Sequence, residues 1–128
     1  MVDGKASEIL RKARDTIADP DCWCKGWDAL TAEDKDCEWF DNEAVKWCAI
    51  GGIKKAMDCE LETTSKIAIR DQIDSAINMV LCPNPGPYYN QEPRFKKLVS
   101  YNDRSDTSHD EIIEVFDKAI DILKDAAL

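Results

Sequence analysis

Two adjacent glycines, Gly51 and Gly52, interrupt a stretch that otherwise reads as helix, Trp47-Cys48-Ala49-Ile50-Gly51-Gly52. Each glycine in a helix interior costs roughly 1 kcal/mol relative to alanine. A chain that keeps two of them needs a bare backbone there, for a close helix crossing, a bound group or a sharp turn. On a helix spanning about residues 42 to 57, Val45, Ala49, Gly52, Ile53 and Ala56 share one face. That small-residue stripe makes a close crossing the reading for Gly52, and it gives no reason for Gly51. Trp47 projects opposite the stripe, and Cys48 lies on the border between the two.

Helical periodicity recurs along the chain. Ala6, Leu10, Ala13 and Ile17 share one face of a first helix, which ends near Asp19-Pro20 because proline disfavours helical geometry in the residue before it. Ile69, Ile73, Ala76, Ile77 and Val80 mark a third helix over about residues 63 to 81. A short helix is expected over 94 to 101, followed by a loop carrying Asn102, Asp103, Arg104 and Ser105. The last helix starts near Thr107, where Ser108 and Glu111 form a capping box ahead of Ile112, Phe116, Ala119, Ile120 and Leu123. Nothing alternates with period two over a useful length, so no sheet of consequence is expected. Residues 82 to 93 read as a proline-rich turn. Residues 20 to 41 hold Trp23, Trp27 and Trp39 with Cys22, Cys24 and Cys37, and a connection that long needs packing of its own. The expected fold is therefore all-α: one compact domain over residues 1–128, with four to five helices and a long Trp/Cys-rich loop packed on the second helix, where Trp47 is the landing place.

The charge balance narrows the function classes. With 26 acidic and 17 basic side chains the net charge is −9, which argues against direct binding to nucleic-acid phosphates or to an anionic membrane surface. It fits plain solubility, a partner with a basic surface, or mimicry of a polyanion. The N-terminal residues carry no continuous apolar run, so neither a signal peptide nor a membrane span is expected, and the expected location is the cytoplasm of a bacterial host cell. In that setting the six cysteines read as reduced thiols. There is no Gly-rich phosphate loop, no Gly-x-Ser-x-Gly elbow and no EF-hand spacing, and no cofactor is expected.

Several residues are candidates for function, each beside a structural alternative. Cys48 near a helix start would gain acidity from the helix dipole and could act as a nucleophile, with His109 as base and Asn102 or Asp103 to orient it. The alternative is a core thiol, with His109 a solvated first-turn residue. Cys22, Cys24 and Cys37, with Cys48 and Cys59, supply enough sulfur for zinc, although Cys22-x-Cys24 is a poor spacing for a structural site. Trp23, Trp27, Trp39 and Trp47 form either a recognition platform or an aromatic cluster that holds the loop down. Asn102 and Asp103 are either binding residues on a loop or turn and cap residues. The acids Glu33, Asp34, Asp36, Glu38, Asp41 and Glu43 are either a cation or phosphate-mimicking array or a solvated loop.

Four short motifs stand out together: Lys12-Ala13-Arg14-Asp15-Thr16-Ile17, Trp23-Cys24-Lys25-Gly26, Trp47-Cys48-Ala49-Ile50-Gly51 and Tyr101-Asn102-Asp103. In these the chain resembles a family of small uncharacterised helical proteins of actinobacteria and their phages. The match spans about residues 8 to 123, with departures in the cysteine-rich loop and the proline-rich stretch. The resemblance implies a bacterial or phage origin and an all-helical fold, and suggests that the Asn-Asp segment and the Trp-Cys segment sit together in space. It carries no established activity. The reading is a non-enzymatic accessory protein that engages a partner protein, with a Cys48-dependent hydrolase or transferase and a zinc-stabilised interaction module as the alternatives.

Overall fold

The computed structural model describes residues 4–60, 63–82 and 94–126, and the proline-rich stretch 83–93 and the side chain of Cys59 lie outside the described residues. Among the described residues five helices follow one another: α1 (Lys5–Thr16), α2 (Ala49–Glu60), α3 (Thr63–Leu81), α4 (Lys96–Asp103) and α5 (His109–Ala126). Between α1 and α2 run a short 3-10 turn (Pro20–Cys22) and three strands, β1 (Ala29–Leu30), β2 (Asp36–Cys37) and β3 (Lys46–Trp47). The body is all-helical. Helices α1, α2, α3 and α5 enclose the core, and α4 lies against α2 and α3. Phe116, Ile9, Leu10, Ile17, Ile53 and Ile73 are among its fully buried side chains. Burying each such side chain contributes about 1.5–3 kcal/mol, so the aliphatic stripes of α1, α3 and α5 supply the bulk of the driving force.

Helix α5 begins as its sequence dictates. Ser108 Oγ accepts from Glu111 N at 3.2 Å while Glu111 Oε1 accepts from Ser108 N at 2.9 Å, the reciprocal capping box. Helix α4 starts two residues later than expected, behind Phe95, whose backbone is left-handed at φ 63°. That conformation is costly for a bulky residue, and the Asp74 carboxylate holds it by accepting the Phe95 N–H at 2.9 Å.

The start of α2 differs most from the sequence reading. Residues 42 to 48 are not helical, so Val45 and Trp47 are not on the helix face assigned to them, and Val45 is exposed. Instead β3 pairs antiparallel with β1 (Ala29 opposite Trp47, Leu30 opposite Lys46), and β1 pairs on its other edge with β2 (Ala29 opposite Cys37). Cys24 N adds a further bond to Trp47 O at 3.1 Å, beside a bridge between Trp23 and Trp47. Strands of two residues leave no period-two signature to read. The Trp/Cys-rich loop is thus a small three-stranded ribbon rather than a plain coil, and it packs on the first turns of α2 as expected.

The glycine pair serves both contacts. A Cβ on Gly52 would lie 3.3 Å from the Ala13 carbonyl oxygen and 3.5 Å from Ile17 Cγ2, so Gly52 permits the close crossing of α1 and α2. A Cβ on Gly51 would lie 2.0 Å from the Asp28 carbonyl oxygen, where the ribbon backbone crosses the helix. Helix propensity alone would favour alanine at both positions by roughly 1 kcal/mol. We predict that Gly51→Ala instead destabilises the fold by about 3 kcal/mol or more, because backbone on both sides must move. Gly52→Ala should change stability by less than about 1.5 kcal/mol. Denaturant midpoints at constant m value check the ranking, and a neutral Gly51→Ala would contradict the ribbon crossing.

Candidate functional site

A buried side chain at the end of α4 joins the ribbon to the bundle. Asn102, expected in a loop, lies with Asp103 in the last turn of α4 and is 1% exposed. Its Oδ1 accepts from Trp23 Nε1 at 2.7 Å and from Ala49 N at 3.1 Å. Its Nδ2 donates to Cys24 O at 3.1 Å and to Asp103 Oδ1 at 3.0 Å. The amide is fully used, so Asn102 is a structural fastener and no polar atom of it is left for a ligand. The Asn-Asp and Trp-Cys segments do meet, through Asn102 and the first amide of α2.

Cys48 occupies the cap position of α2. Its Sγ accepts from Gly51 N at 3.3 Å, and its carbonyl takes the first helical bond from Gly52 N. Together with Asn102 it satisfies two of the N–H groups that a helix start leaves without partners. Burial pushes the Cys48 thiol up to about 11, outweighing the bond from Gly51, which acts in the opposite direction. The expected gain in acidity at a helix start therefore does not occur. Cys24 is also buried, and desolvation, then the nearby Cys48, raises its thiol to about 12.

His109 is not the solvated residue that its place beside the cap suggested. Its side chain is largely buried, edge-on to Trp23 with ring centroids 5.7 Å apart. Nε2 lies 2.6 Å from the Ile17 carbonyl oxygen, which requires Nε2 to carry the proton and donate it. Among the described residues no hydrogen bond joins His109 to Cys48. Nor is there, among those residues, any group of three or more His, Cys, Asp or Glu side chains able to hold a metal ion, so Cys22, Cys24 and Cys37 do not form a ligand set.

The tryptophans divide into anchors and a free ring. Trp23 is tied to Asn102, and Trp47 donates Nε1 to the Trp39 carbonyl at 3.1 Å while Lys55 Nζ sits 4.1 Å from its ring centroid. Trp39 stacks edge-on with Phe40. Trp27 alone is open, at 57% exposed. It stands at a left-handed turn: Gly26 has φ 84° and donates its N–H to Asp103 Oδ1 at 2.8 Å. Asp103 thereby fixes the turn that presents Trp27.

Trp27 borders a recess of about 580 Å³ whose walls carry Asp28, Asp36, Glu38, Asp41 and Asp103. No lysine or arginine is among its described lining residues. Asp28 is paired with Lys54 at 3.0 Å, and Asp41 accepts from Glu43 N at 2.9 Å. Asp36 and Glu38 have no ion pair among the described residues. The field of this wall is felt by Cys37, whose thiol is raised by desolvation and then by Asp41, Asp36, Glu43 and Glu38. Of the residues singled out in the sequence, the recess collects Trp27, Cys37, Cys48, Asp103 and the acids Asp36, Glu38 and Asp41, whereas Trp23, Trp47 and Asn102 support it from behind. Asp28 and Gly26 were not anticipated as part of it. Gly26 was visible within Trp23-Cys24-Lys25-Gly26, but its hydrogen bond to a residue far along the chain was not.

Two predictions test this geometry. Asn102→Ala strands two N–H donors and a carbonyl, so it should cost about 3 kcal/mol or more, whereas Trp23→Phe leaves Asn102 bonded to Ala49 and should cost about 1 kcal/mol. Equal costs in denaturant titrations would contradict the hub. Cys24 and Cys48 should resist a thiol reagent at neutral pH until the protein unfolds, while the half-buried Cys22, Cys37 and Cys82 react first; selective labelling of native Cys48 would overturn the cap role. Because the folded values lie above the ordinary 9.0, the stability tied to these two thiols is full below that pH. It is lost as pH rises toward 11 to 12.

No helix among the described residues is long and apolar enough to cross a membrane. No curated protein and no solved structure matches the chain significantly. A sequence model described as a family of unknown function (DUF6197) matches residues 1–122, and the chain belongs to that family.

Proposed function

We propose that this small acidic protein acts by binding a partner protein, and that the recess beside Trp27 receives lysine or arginine side chains from it. The observation that carries this reading is the combination at one place of an exposed indole and five carboxylates, with no cation among the described lining residues. A tryptophan face attracts an ammonium or guanidinium group, by about 0.5–2 kcal/mol depending on solvent access. Carboxylates around it add attraction at longer range and steer a basic surface into place. The fixed Gly26 turn supports the reading as well, because an indole held in advance loses less freedom on binding. Trp23, Trp39 and Trp47 then serve the binding indirectly, by holding the ribbon in position.

The chain's net charge of −9 extends the same preference over the whole surface. In the bacterial or phage setting that the sequence resemblance implies, the partner would be a cytoplasmic host protein with a basic groove, engaged by an accessory factor that does no chemistry itself. A sharper form of the proposal is mimicry of nucleic acid, in which the acidic wall competes for a groove that normally holds phosphates. The geometry around Cys48 and around Cys22, Cys24 and Cys37 lends no support to a thiol enzyme or a zinc module.

The test is a titration with a lysine- and arginine-rich peptide, followed by fluorescence and repeated with its norleucine analogue. The basic peptide should bind in a salt-sensitive manner, with affinity falling as the Debye length shrinks. Trp27→Ala should weaken it by about tenfold, and the double reversal Asp36→Lys with Glu38→Lys by at least as much. Equal binding of the neutral analogue, or indifference to all three substitutions, would overturn the proposal.

A further inference from the structure

Next to the acidic recess, and sharing Asp28, Ile50 and Val99 with it, lies a second recess of about 430 Å³ with the opposite character. Its floor is apolar: Ile50, Ile53, Met57 and Phe95 are all core residues. Trp39 and Val99 form its sides, and Val99 is partly open at 37% exposed. Among the described residues four cations, Lys54, Lys66, Arg70 and Arg94, line it against two acids, Asp28 and Asp58. On a chain with net charge −9 such a local excess of positive charge runs against the average.

The four cations are not equivalent. Lys54 is paired with Asp28 at 3.0 Å, Lys66 with Asp58 at 3.3 Å, and Arg94 with Asp71. Arg70 has no ion pair or hydrogen bond among the described residues, and its Nε is shielded from water with no acceptor. Asp71 feels the Arg70 charge, but its carboxylate is bonded to Arg94. A shielded guanidinium N–H without a partner is a standing penalty that an arriving acceptor removes. The planar guanidinium fork matches the two oxygens of a carboxylate.

We propose that this recess binds a small organic anion, an apolar chain or ring carrying a single carboxylate, with the apolar part on the Ile50, Met57 and Phe95 floor and the carboxylate on Arg70. One unpaired cation calls for one negative charge, and a water-excluding floor calls for an apolar body. A swing of the Arg70 side chain brings Nε into the two-oxygen fork. The site is independent of the Trp27 recess: it uses the opposite charge, and it stands or falls without any protein partner. Phe95, fixed in its left-handed conformation by Asp74, gives the floor a rigid edge.

Octanoate is the probe, titrated into isotopically labelled protein and followed by NMR shifts. Saturable shifts are expected at Met57, Val99 and the Arg70 side chain, with a dissociation constant of about a millimolar, the range open to a ligand of roughly ten non-hydrogen atoms. Octanamide keeps the chain and loses the charge, and acetate keeps the charge and loses the chain; each should bind about tenfold more weakly. Arg70→Met should cost about tenfold, and Arg70→Lys less, since it keeps the charge without the fork. Val99→Glu, on the open side of the recess, puts a like charge at the mouth and should weaken binding without disturbing the core. Equal binding of octanoate and octanamide, shifts confined to another face, no saturation by about 10 mM, or wild-type affinity in both Arg70→Met and Val99→Glu would each overturn the site.

Discussion

The carboxamide of Asn102 is the interaction on which the rest of the molecule depends. One oxygen takes two N–H groups and one nitrogen gives two bonds, so a single planar group ties α4, the Trp23–Cys24 segment, the start of α2 and the Asp103 carboxylate. Few side chains offer two donors and two acceptor sites in one short plane, and a carboxylate in its place would face the Cys24 carbonyl with no proton to give. Burial strengthens every bond in such a set, and equally raises the penalty for leaving one unmade. The ribbon has only two-residue strands and little core of its own, so its position is set by this group and by the Asp28 backbone lying over Gly51.

Fixing the ribbon has consequences at the surface. Asp103, bonded to Asn102 on one side and Gly26 on the other, carries the rigidity of the hub out to the turn that exposes Trp27. The same placement brings the acidic residues of β2 and the turn after it against Val99 of α4, and so divides the surface into an acidic and a basic recess with a common wall. Both recesses are built where loop and helix meet, with the loop supplying chemistry and the bundle supplying stiffness.

The bundle was largely legible in the sequence because helical periodicity is local. The isoleucine stripe of α3 and the Ser108–Glu111 box of α5 each depend on neighbours within a turn or two, and both appear where the pattern puts them. The start of α2 was not legible. Residues 42 to 48 have helix-compatible composition, and only pairing with Ala29 and Leu30, distant in sequence, makes Lys46 and Trp47 extended. Gly51 has no local explanation in the sequence for the same reason, since its cause is the backbone of Asp28. The polar sequence neighbours of His109 suggest a solvated side chain, whereas its contacts, Ile17 and Trp23, come from the other end of the chain. The basic recess was hidden more thoroughly still. Its cations are spread over α2, α3 and the approach to α4, and an acidic total masks a local reversal.

Native-state hydrogen exchange at the hub is the most direct test of whether ribbon and bundle form one cooperative unit. The protected donors there are the Trp23 indole N–H and the backbone amides of Cys24, Cys48 and Ala49. If Asn102 fuses the two parts, these protons exchange only through global unfolding, with the same opening free energy as core amides of α1 and α5. Exchange of all four through a much cheaper local opening, while the helices stay protected, would show that the ribbon is a detachable flap and would contradict the central role of Asn102.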